Sequence, residues 1–204
     1  MEKPRNYSGA FFMCYFQETL NLLQYQIMQL TFDQFHIASY QAQHLPLLYK
    51  LVNENRPRLL DFFAGLASRM RNEESANAYG AVIVQQQKDK AYFPFLILNA
   101  AGEAIGLVDV KNIDWRVPKA ELGYFVDQQY EGQGISSRAF GIVVDHIVKT
   151  HHFKKLLCRA HHSNTGSIRI AEKQGFQLEG TITRDYKSTD GTLVDLNYYG
   201  KCFD

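Results

Sequence analysis

Apolar and polar residues alternate from Ala120 to Asp127, with Ala120, Leu122, Tyr124 and Val126 interleaved among Glu121, Gly123, Phe125 and Asp127. A period of two is the signature of a half-buried strand. The period then changes, since Ile135, Ala139, Phe140, Val143, Ile147 and Val148 recur at helical spacing. Between them lies Gln129-Tyr130-Glu131-Gly132-Gln133-Gly134-Ile135-Ser136-Ser137, so two glycines fall at a helix N-terminus. Glycines there let the chain turn tightly and let an anion approach the backbone without meeting a Cβ. The unpaired N–H groups and positive dipole end of the first helical turn then face that anion.

The same patterning orders the rest of the chain. A strand is expected near Thr31 to Ile37, then a helix from about His44 with Leu47, Leu48, Leu51 and Val52 on its buried face. Pro57 marks a break before a helical piece holding Leu59, Leu60 and Phe63. A longer helix from Glu74 to Gln87 turns Ala78, Ala81 and Val82 inward. Tyr92 to Leu98 and Ala104 to Ile113 read as antiparallel strands around the turn Asn99 to Glu103. Phe153 to His161 is a further strand, and Asn164 caps a short helix that Gly175 closes. Strands near Gln177 to Arg184 and Leu193 to Cys202 end the chain, joined through Asp190-Gly191, a favoured tight-turn pair.

Three nucleotide-binding motifs compete for the glycine loop. A Walker loop needs Gly-Lys-Ser/Thr after its second glycine, which is missing here. A dinucleotide fingerprint starting at Gly132 wants Gly or Ala at position 137, which is Ser, and a well-placed acidic residue further on. The spacing Gln129-x-x-Gly132-x-Gly134 instead resembles the acetyl-coenzyme A pyrophosphate loop of the GNAT N-acetyltransferases. With Glu121-Leu122-Gly123-Tyr124 upstream and Asn164-x-x-Ser167, Ala171-Glu172-Lys173-x-Gly175-Phe176 and Glu179-Gly180 downstream, the chain resembles the RimJ/RimL-like branch from about residue 28 to 204.

That resemblance implies an α/β (α+β) GNAT acyl-CoA N-acyltransferase fold. It is a mixed, mostly antiparallel twisted sheet with splayed parallel central strands and flanking helices. It implies acetyl-CoA as co-substrate, bound by Tyr124, Phe125, Val126, Gln129, Glu131, Gly132, Gln133, Gly134, Ile135, Ser136 and Asn164. The implied acceptor is a primary amine, on a protein N-terminus or on a small molecule such as a polyamine, amino acid or antibiotic. An ammonium must lose a proton before it attacks, and Glu121 and Asp185 are the candidate bases. Ser167 is the candidate acid for the departing thiolate, and a backbone N–H near Val126 is the candidate oxyanion donor. The other class of function carrying the same loop is a CoA-binding sensor without turnover.

Composition narrows the partners. A net charge of +1 over 204 residues gives no electrostatic case for nucleic acid or an anionic membrane. Cys14, Cys158 and Cys202 are few, odd in number and unpatterned, which suits a reducing cytoplasm. The pairs His151-His152 and His161-His162 lack accompanying ligands at metal spacing, so no metal is expected. Residues 1–27 read as an extension to a domain at 28–204. Its apolar run Ala10 to Phe16 is cut by Gln17 and Glu18, against a signal peptide. Leu20, Leu23, Ile27 and Leu30 form a helical stripe suited to packing on the domain or on a second subunit of a homodimer.

Overall fold

The alternating run becomes strand β5 (Lys119–Val126), and it organises both layers of the computed structural model, which describes residues 30–204. The 1–27 extension, with Leu20, Leu23 and Ile27 of its stripe, lies outside the described residues. Leu122, Tyr124 and Val126 turn to one face of the sheet, against helices α5 (Ile135–His151) and α6 (Thr165–Lys173). Phe125 turns to the other face. That face carries α1 (Leu45–Glu54), α2 (Arg56–Phe62), α3 (Ala64–Arg69) and α4 (Glu73–Lys88).

Among the described residues, eight strands form one sheet in the order β1-β2-β3-β4-β5-β6-β8-β7. The others are β1 (Leu30–Phe32), β2 (Phe35–Ser39), β3 (Phe93–Leu98), β4 (Ala104–Asp114), β6 (Lys155–Ala160), β7 (Gln177–Lys187) and β8 (Leu193–Cys202). All neighbours pair antiparallel except β5 and β6, which are parallel and joined through α5. This is the mixed sheet with a central parallel pair that the family resemblance implies.

Several local expectations change. The strand near Thr31 to Ile37 is a tight hairpin, β1 and β2, because Asp33 adopts a left-handed φ of 48° and reverses the chain. In α4 the inward residues are Ala76, Tyr79, Gly80 and Ile83, whereas Ala78, Ala81 and Val82 face solvent. The stripe is fixed by the Tyr79 ring and by Gly80, whose missing side chain admits Leu45. Both expected caps of α6 form: Asn164 accepts from Ser167 N–H at 3.1 Å, and Gly175 takes φ +80° beyond the helix end.

At the foot of β5 an aromatic stack closes the sheet. The His151 ring lies 4.6 Å from Phe93, nearly parallel to it, and Trp115 stacks on Phe153 at 5.1 Å. Burial, then the charges of His146, Lys90 and His152, lower the His151 pKa to about 4. An unfolded histidine titrates near 6.5, so the unfolded chain binds more protons between the two values. Stability is therefore present above about pH 6.5 and falls as pH drops toward 4. Urea melts over that range are expected to show this acid loss, with a shallower slope in His151→Phe; an unchanged slope would contradict it.

Candidate active site

The parallel ladder between β5 and β6 stops early. Its last pair is Leu122 with Cys158, yet β5 continues to Val126, while β6 continues to Ala160 paired only with β8. Gly123 to Val126 thus present backbone N–H and C=O groups to a gap rather than to a strand. Such groups need partners. The gap opens into a cleft of about 700 Å³, lined by Tyr124, Phe125, Val126, Glu131, Gly132, Gly134, Ile135, Ser136, Asn164 and Ser167, among others.

The glycine loop forms one end of this cleft. Gly132 and Gly134 have φ of +73° and +76°, conformations that L side chains rarely adopt. The first helical bond of α5 runs from Arg138 N–H to Gly134 O at 3.1 Å, leaving the N–H groups of 135 to 137 ahead of the ladder. Asn55, only 3% exposed, anchors the loop from the opposite layer: its amide donates to Asp127 Oδ2 at 2.7 Å, and its carbonyl oxygen accepts from Gln128 N–H at 3.3 Å. Arg58 pairs with Glu131 beside it. A chain of free N–H groups with no Cβ over it suits a pyrophosphate, and the open edge of β5 suits the amides of a pantetheine arm.

A second cleft of about 770 Å³ opens on the α1–α4 face. The two share Asp61, Phe63, Leu122, Gly123, Arg159, Ala160 and Asn164, and they meet where β5 and β6 begin to part. Charged residues alternate across the floor of the second cleft. Lys111 Nζ is 3.1 Å from Asp109 Oδ1, Arg159 Nε is 2.8 Å from Glu121 Oε2, and Arg159 Nη1 donates to Asp185 Oδ2 at 3.0 Å. The Arg159 Nε–H is not aimed along its contact, so the Glu121 pairing is an ion contact rather than an aligned hydrogen bond. Burial opposes the Arg159 charge, but Glu121 and then Tyr198 more than offset it and hold the guanidinium above its ordinary range. A bulge delivers Asp185: between the pairs Ile182–Leu196 and Tyr186–Val194, three residues of β7 oppose Asp195 alone, and Arg184 turns at φ 53°.

The proposed site residues thus separate into groups. Gln129 and Gln133 lie outside the wall of the first cleft, because the Gln133 amide folds back to donate to the Gln129 carbonyl at 3.0 Å. Tyr124 presents its backbone to the gap, while its hydroxyl is spent on the Ser167 carbonyl at 2.6 Å and its ring on Phe140. Glu121 lines the second cleft and accepts from the Asn112 amide at 2.8 Å. Asp185 stands behind Arg159 and accepts from Tyr198 OH at 2.7 Å. Sequence reasoning passed over Asn55, Asp109, Lys111 and Arg159. Asp109 and Lys111 carried a signal, being charges that follow the apolar run Ala104 to Val108 and flank Val110; Asn55 and Arg159 carried none.

Comparison with known proteins agrees with this geometry. The acetyltransferase (GNAT) domain family matches residues 35–177. The ribosomal-protein-serine acetyltransferase of Escherichia coli (strain K12) is 24% identical over 174 residues, covering 84% of this chain and 94% of that protein. The crystal structure of a ribosomal-protein-S5-alanine acetyltransferase from Vibrio fischeri superposes with a TM-score of 0.79 at 19% identity, covering 87% of this chain and 98% of the other. A RimL ribosomal L7/L12 alpha-N-protein acetyltransferase in complex with coenzyme A superposes with a TM-score of 0.77 at 20% identity, covering 85% and 96%. Family match, sheet order and parted central strands together identify the chain as an N-acetyltransferase of the GNAT family, on its RimJ/RimL-like branch.

Proposed function

We propose that this protein moves the acetyl group of acetyl-CoA to a primary amine, and that the amine is the N-terminus of a protein. The observation that carries the reading is the meeting of two clefts at Gly123, one walled by the loop and the open edge of β5, the other by a charged floor. The first cleft takes the cofactor: loop N–H groups bind its phosphates, and Gly123 to Val126 pair with its amides. The second is open and broad enough for a peptide end, and its charges suit backbone and side-chain polar groups. The relatives named for ribosomal-protein acetylation support that acceptor class.

In this reading Glu121 takes the proton of the incoming ammonium, directly or through water, since it lines the acceptor cleft. Arg159 fixes its carboxylate. Asp185 acts on the far side of Arg159 as a positioning residue. Ser167 protonates the departing thiolate. Its backbone is fixed at both ends, by Asn164 at its N–H and Tyr124 at its carbonyl, so its hydroxyl is held in the wall of the cofactor cleft.

Acetyl-CoA is expected to raise the melting temperature, by linkage worth about 2.7 kcal/mol at 100 times the dissociation constant. Gly134→Val is expected to lose that shift. The space around Gly134 is open, so the cost arises from forcing a β-branched residue to φ +76°, which turns the N–H groups away. A folded Gly134→Val protein with parental cofactor affinity would exclude this loop as the phosphate site. Against peptides with free N-termini, Glu121→Gln is expected to lower kcat/KM by on the order of 10²–10⁴-fold. Asp185→Asn is expected to cost about tenfold, the equivalent of roughly 1.4 kcal/mol of lost positioning. Rates followed against pH decide the assignment, and parental profiles in both variants would remove both carboxylates from the proton path.

A further inference from the structure

A primary amine of the protein itself stands at the junction where the two clefts meet. Asp109 pairs with Gly123 across β4 and β5, and Lys111 with Glu121, so both charged side chains project onto the acceptor face. Their head groups occupy the hollow left by the missing Gly123 side chain: a Cβ there would lie 2.5 Å from Asp109 Oδ1, 2.5 Å from Lys111 Nζ and 2.7 Å from Phe63 Cζ. Gly123 is also the first residue of β5 past the end of the parallel ladder. A pantetheine arm paired along the open edge from the glycine loop would run toward the residue that Lys111 covers. The Lys111 side chain is 29% exposed, so it can be reached.

We propose that Lys111 is a self-acetylation site, kept closed by its ion pair with Asp109. The inference rests on acetyl-CoA occupying the first cleft, as argued above. The groups facing Lys111 are Asp109 on its own strand, Glu121 on β5, Arg159 on β6, Tyr186 on β7 and the Phe63 ring, whose centroid lies 4.7 Å from Nζ. Burial opposes the ammonium, but Asp109 and then Glu121 hold it above the ordinary lysine range. Asp109 is itself fixed by Tyr92, whose buried hydroxyl donates to its Oδ2 at 3.0 Å. A protonated amine has no lone pair, so the ion pair leaves a substrate's amine as the nucleophile at the junction.

Water takes one proton from the ammonium, and no other reagent is needed. The Nζ lone pair attacks the thioester carbonyl, the C–N bond forms as C–S breaks, and the second proton shed by nitrogen is taken up by the thiolate, which leaves as the coenzyme A thiol. The product is a neutral amide filling the junction. Transfer to external amines would fall as Lys111 is modified.

The test incubates the full chain with acetyl-CoA at neutral pH, follows intact mass, and maps the modified peptide. Wild type is expected to keep Lys111 unmodified over the time in which Asp109→Asn gains one acetyl group there. The expected difference is about tenfold or more, the change in neutral-amine fraction when an opposite charge is removed from this distance. Asp109→Ser, which removes the same charge with a smaller side chain, is expected to act in the same direction and serves if Asp109→Asn does not fold. Adding Lys111→Arg is expected to abolish the gain. Folded variants that show a cofactor-induced melting shift but modify Lys111 no faster than wild type would overturn the proposal. A wild type with no melting shift would instead overturn the cofactor reading on which it rests.

Discussion

Everything in the site follows from a short stretch of strand that has lost its neighbour. Backbone N–H and C=O groups cannot be buried unpaired without a cost of about 1–3 kcal/mol each, yet β5 runs on past Leu122 with no partner on the β6 side. The surrounding structure holds the strands apart. Tyr124 is tied to Ser167 and packed on Phe140, which links β5 to α6 and α5. On the other side, β6 is held by β8. A ligand offering alternating amide donors and acceptors satisfies that edge, and the glycine loop at the same end of the strand offers an anion site in line with it.

The floor of the second cleft carries a row of paired charges. Asp109, Lys111, Glu121, Arg159 and Asp185 come from β4, β5, β6 and β7, and each carboxylate is fixed by a cation from the same floor. This organisation holds carboxylates in defined orientations beside the junction.

Local signals made the cofactor half of the site readable from sequence. The change of period at 127–135, the Asn164 cap and the Gly175 terminator are encoded by neighbours in the chain, and each forms where expected. The acceptor half depends on register between distant strands. Asp109 meets Gly123 and Arg159 meets Asp185 only because sheet order places them side by side, and nothing near Arg159 in sequence marks it as the clamp on two carboxylates. The bulge at 183–185 was equally silent, since its unusual φ falls on Arg184 rather than on a glycine. The α4 stripe was misread because Ala78, Ala81 and Val82 also recur on one helical face, and the large Tyr79 ring decided which face was buried.

The central claim is that the open edge of β5 and the first turn of α5 are the groups a CoA thioester pairs with. Amide hydrogen exchange with and without acetyl-CoA measures those groups directly. The account predicts that protection on binding concentrates at 123–126 and 132–137, and that peptides from α4 and the β1–β2 hairpin are unaffected. Tight binding that leaves both segments exchanging as in the free protein would contradict it.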